Sequence, residues 1–149
     1  MFMNDELAYI EAMETAELVD IISNIWGFEE TSKALLTLLE RDPQRALGLG
    51  IDILEKDKGD DYLQATAWDV VFDISPIEVL ESLSKRNTNC GKVLLYDILK
   101  ELNSGFHIKN MSELSEKVVS KIKESFDSLL EKERISLENE FYEFTSKTK

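Results

Sequence analysis

The chain has 149 residues, 43% of them hydrophobic, and only six glycines, which fits one domain with a moderate core and excludes a disordered chain. Thirty acidic against seventeen basic residues give a net charge of −13, a field that repels nucleic acid and anionic membranes and attracts basic partners. No apolar stretch approaches the ~20 residues that span a bilayer, and the lone Cys90 allows no internal disulfide.

The charge is lopsided. Residues 1–75 carry 17 acidic and 5 basic residues, a net of −12, whereas residues 76–149 carry 13 and 12. No basic region followed by an apolar run opens the chain, so no secretory signal and a cytoplasmic location are expected.

The first expected helix runs from about Asn4 to Asn24, with Leu7, Ile10, Leu18, Ile21, Ile22 and Ile25 as apolar stripes. Gly27 then fits a C′ position of positive φ. Both prolines follow a potential capping residue, in Asp42-Pro43 and Ser75-Pro76. Proline is tolerated at the first helical position because its missing N–H has no acceptor there. The flanks correspond at an offset of 33 residues: Ala34, Leu38 and Leu39 with Ala67, Val71 and Phe72, then Ala46 and Leu47 with Val79 and Leu80. Such a period marks helical repeats.

One repeat is therefore expected over about 29–41 and 43–56, and the next over 61–73 and 76–85. The polar turn Asp57–Asp61 lies between them. Leu47–Leu54 alternates like a strand, but its repeat partner at 79–85 does not, so a helix is expected, with Gly48 and Gly50 permitting a close crossing. A further helix spans about Gly91–Asn103. Beyond it Asn110 and Glu113 fit a capping box. Leu114, Val118, Ile122, Phe126, Leu129, Leu137, Phe141 and Phe144 then recur at helical spacing. One long helix, or two with a break near Arg134–Ser136, would cap the stack. The fold class is all-α: antiparallel helix pairs over about 29–103 with a C-terminal helical cap over about 110–147, in a single domain.

Catalytic signatures are sparse. His107 is the only histidine, which excludes HExxH and paired-histidine metal sites. Cys90 fits an ordinary thiol, and the Asp57, Asp60, Asp61 cluster lacks the spacing of a calcium loop. No enzyme activity, cofactor or metal is expected. Trp68, Phe72, Phe126 and Phe141 fit a core. On the helix 61–73, Tyr62, Thr66, Asp69 and Asp73 line one face at i, i+4, i+7 and i+11. Asp69 and Asp73 are like charges one turn apart, a pairing that costs an isolated helix a few tenths of a kcal/mol. A solvated acidic face is the plain reading, and a surface for a basic partner the functional one. The expected partner surface comprises Asp57, Asp60, Asp61, Tyr62, Thr66, Asp69 and Asp73, extended by Glu78 and Glu81 on the following helix. Trp26 is a second aromatic suited to an interface.

The paired helices resemble HEAT-like repeats. A small, strongly acidic single domain of this kind is also similar to the helical-repeat immunity proteins of bacterial contact-dependent growth inhibition. That resemblance implies a cognate toxin domain, commonly a nuclease, bound and neutralised in the cytosol, with no nucleic-acid or membrane partner. A general protein–protein adaptor is the alternative.

Overall fold

The computed structural model describes residues 7–105 and 113–148. Among them all regular structure is helical: α1 Ala8–Glu11, α2 Thr15–Asn24, α3 Phe28–Arg41, α4 Pro43–Glu55, α5 Asp61–Ile74, α6 Pro76–Lys85, α7 Lys92–Ser104, α8 Glu116–Ser128 and α9 Glu131–Lys147. Helices α3, α5, α7 and α9 pack side by side in one layer, and α4, α6 and α8 form a second layer against it.

The 33-residue correspondence is physical. Helix α3 and helix α5 start and end 33 residues apart, and Pro43 and Pro76 both open the helix that follows. The residues between, Asp42 (φ −149°, ψ 82°) and Ser75 (φ −151°, ψ 88°), share one backbone conformation. Their N–H groups donate to Leu38 and Val71 carbonyls at 2.7 and 2.9 Å, again 33 residues apart. Only Asp42 uses its side chain as a cap, accepting from Arg45 N–H at 3.2 Å. Ala34, Ala67, Leu38, Val71, Ala46 and Val79 are all fully buried. Each pair therefore buries the corresponding positions one step along the stack.

Leu47–Leu54 is helical, as its repeat partner implies. Gly50 permits the crossing of α4 over α5: a Cβ there would lie 2.3 Å from Val71 Cγ1. Gly48 plays no such part, since a Cβ there meets nothing within 4 Å. Arg86, following α6, is buried and donates all five of its guanidinium N–H bonds. Nη1 reaches Leu54 O (2.7 Å) and Gln64 Oε1 (2.8 Å), Nη2 reaches Asp57 Oδ1 (3.1 Å) and Asn89 O (3.3 Å), and Nε reaches Thr88 O (3.2 Å).

Three expectations are corrected. The described part of the first helix is two helices, broken at Ala12–Glu14. Arg41 of α3 donates to the Glu11 and Met13 carbonyls, both at 2.6 Å, and so satisfies acceptors that the break releases. The left-handed residue after α2 is Ile25 (φ 51°), whereas Gly27 is extended (φ 173°) at the start of α3. The C-terminal break lies at Leu129–Leu130, earlier than Arg134–Ser136. Both leucines are extended there, and the Leu129 carbonyl accepts from Arg134 Nη1 at 2.6 Å. The α9 cap closes the stack with Phe144 fully buried and Phe141 stacked on Phe126 of α8 at 3.8 Å. Asn110 lies outside the described residues, and α8 instead starts at Ser115, whose Oγ accepts from Val118 N–H.

Candidate functional site

Helix α5 sits centrally, with α3 and α7 beside it and α4 and α6 beneath. Leu63, Gln64, Ala67, Trp68, Val71 and Phe72 are buried on its inner sides. That leaves a narrow outward stripe of Tyr62, Thr66, Asp69 and Asp73, the four residues that helical spacing placed on one face. Tyr62 is 61% exposed, and its ring meets Phe28 of α3 edge-on at 6.3 Å. Trp26, in the connection that leads into α3, is 54% exposed. Thr66 Oγ1 donates to the Tyr62 carbonyl at 3.1 Å, which leaves its methyl as the side chain's free feature.

Two turns further along α5, Asp69 meets Asp97 of α7 as a carboxyl–carboxyl pair. Loss of water against the neighbouring helix pushes Asp69 up to about 7, helped by the charge of Asp97, the hydrogen bond between the two, and the charges of Glu101 and Asp73. Asp97 is raised as well, chiefly by the same loss of water; its bond to Asp69 and the nearby Lys100 act in the opposite direction. Both carboxyls therefore take up a proton more readily than ordinary ones, although Asp69 keeps an exposed outer side. Asp97, Glu101 and Phe28 join the site without having been expected there. The clue for the first two is that Asp97 and Glu101 repeat the i, i+4 acidic spacing of Asp69 and Asp73 on the next helix of the layer.

The turn before α5 is largely committed to the fold. Asp60 Oδ1 accepts from Leu63 N–H at 2.8 Å and caps α5. Asp61 accepts from Val93 and Leu94 N–H at 2.7 and 3.0 Å, so it caps α7 from another helix. Asp57 accepts from Arg86 and from Gln64 Nε2. All three lie at the same end of the stripe as Tyr62, but their carboxylates already have partners. Glu78 and Glu81 are not brought to this face. They project from α6 in the second layer, beside Ile51 and Glu55 of α4.

Cys90 is buried, which pushes its thiol up, and its N–H donates to Ser125 Oγ at 2.8 Å; an attacking thiolate is disfavoured there. His107 lies outside the described residues. Among those described, no group of three or more His, Cys, Asp or Glu side chains is placed to hold a metal ion, and no helix is long and apolar enough to cross a membrane. The chain matches no family model, no curated protein and no solved structure.

Proposed function

We propose that this chain is a binding protein that grips a basic protein partner through the outer face of α5. We further propose that it is the immunity protein of a toxin pair, the partner being a cognate toxin domain with nuclease activity. The observation that carries the reading is the Asp69–Asp97 contact. Two carboxyls pressed together, with Asp73 and Glu101 nearby, cost stability in isolation. A lysine or arginine docking beside them relieves that cost. Tyr62 and Phe28, about two turns away on the same face, offer rings on which an arginine can stack.

A nuclease is the fitting class because it needs a basic surface to hold phosphates, and an acidic binder competes for that surface. Complementary charge also speeds encounter, by up to about 10–10³-fold at low salt. Occlusion requires no catalytic group in the inhibitor, and the site of action is the cytosol, where such a toxin meets its substrate. An adaptor would use the same face but relieve no toxicity.

The test takes the product of the gene adjoining this one as the candidate toxin and measures its association with wild type and with Asp69→Asn/Asp73→Asn at low and high salt. The double variant is expected to keep its helical circular-dichroism spectrum and to associate more slowly, with the difference shrinking as salt rises. Equal affinity at both salts would remove the α5 face from the interface. A neighbouring product whose growth inhibition the chain does not relieve would remove the immunity reading and leave the adaptor.

A further inference from the structure

The second layer carries an unfilled feature of its own. Between α6 and α8 lies a cavity of about 630 Å³, open to solvent. Its apolar lining is Ile77 and Leu80 from α6, Val118 from α8, and Leu114 just before α8. Ile77 is 76% exposed, the most exposed of the large hydrophobic side chains among the described residues. The volume falls in the range of ligand-binding clefts, about 300–1,000 Å³.

The charges choose the occupant. Glu81 and Glu113 line the cavity, and no lysine, arginine or histidine does so among the described residues. Glu81 has Lys85 at 3.2 Å one turn along, with both side chains more than half exposed, a pairing that a competing cation displaces at little cost. Across α6, Glu78, Glu55 and Lys85 line an adjoining depression, and beyond Ser84 on the α8 side stand Glu116, Lys117, Lys121 and Glu124, so charge of one sign is confined to the groove itself. An apolar trough with Glu81 and Glu113 in its lining fits an amphipathic helix that lays a leucine-like stripe into the groove and sets lysine or arginine against those two carboxylates. A second copy of this chain fits poorly, since it brings a net charge of −13 to the same edge.

We infer that the α6–α8 groove is a second docking surface, one that takes a basic amphipathic helix from another protein. It lies on the layer opposite the α5 face and does not rest on the function proposed for that face.

The experiment titrates the full chain with a synthetic peptide of about 14 residues, roughly 20 Å of helix, with leucines at i, i+3, i+4 and i+7 and lysines elsewhere. A second peptide replaces every lysine by glutamate. Binding is read by fluorescence anisotropy at about 150 mM salt and located by backbone amide shifts. Saturable one-to-one binding of the lysine peptide is expected, with the shifted amides in α6 and α8. Ile77→Asp, at an exposed position that leaves the fold intact, should weaken it by about tenfold or more. Glu81→Lys should weaken it too, and Asp69→Asn/Asp73→Asn should leave it unchanged. Equal binding of the glutamate peptide, indifference to Ile77→Asp, or shifts confined to α5 and α7 would each overturn the inference. So would self-association that Ile77→Asp abolishes, because the groove would then belong to a second copy.

Discussion

Asp69 gives stability a pH dependence opposite to that of an ordinary ion-paired carboxylate. Its folded pKa of about 7 lies above its ordinary 3.8, so the folded chain holds this proton more tightly than the unfolded chain does. The contribution is full below about pH 4 and is lost as pH rises through 7. Melting curves of wild type and Asp69→Asn, compared from pH 4 to 8, should therefore diverge. The variant gains on wild type as pH rises, by no more than about 1 kcal/mol because the group is half in water. Parallel curves would mean that the two carboxyls do not crowd each other. Half of this feature was legible in the sequence, since the i, i+4 spacing of Asp69 and Asp73 places both on the surface of one helix. Asp97 was not, because a pair across helices exists only once α5 and α7 have set their separation. The same holds for Phe28 against Tyr62.

At the scale of elements, the two glycines of α4 look alike in sequence and behave as opposites. Gly50→Ala drives a methyl into the buried, β-branched Val71 and should cost about 1–3 kcal/mol. Gly48→Ala fills open space on an exposed helical turn and should stabilise by about 0.5–1 kcal/mol. Urea denaturation of both variants measures the contrast, and two changes of the same sign would refute the close-crossing account. Helix ends marked by proline were legible to the residue, because Pro43 and Pro76 fix φ at a position where no N–H is needed. Ends made by other means were not. The break at Ala12–Glu14 depends on Arg41 arriving from α3, and the break at Leu129–Leu130 on Arg134 reaching back to a carbonyl. Neither arginine stands out in the sequence, which is why one long N-terminal helix and a later C-terminal break were expected.

For the whole molecule, the all-α stack followed from a single repeated dipeptide pattern, but its two-layer arrangement did not. That arrangement sends Glu78 and Glu81 away from the α5 face, although consecutive helices are neighbours. Arg86 is the main tie across the repeats, joining the end of α4, the side of α5 and the loop after α6. Arg86→Met leaves the buried Leu54 carbonyl and Gln64 Oε1 without a donor and should cost roughly 3–5 kcal/mol. At about 2–4 °C per kcal/mol for a chain of this size, the melting temperature falls by on the order of 10 °C. Arg86→Lys should recover only part of the loss, since one ammonium cannot reach five acceptors spread around a planar fork. Full recovery by lysine would show that charge alone matters at this position.

Asp61 adds a direction to this stack. The carboxylate that caps α7 belongs to α5, and it fits only because Gly91 has no side chain: a Cβ there would lie 2.7 Å from the Asp61 carboxyl carbon. Gly91 itself supplies no capping side chain. The third helix pair thus borrows its starting signal from the second, whereas α5 supplies its own through Asp60. In a one-dimensional array, stability divides into terms for each unit and terms for each junction. Here the junction holds part of what would ordinarily belong to the unit: the cap of α7 exists only where α5 lies beside it.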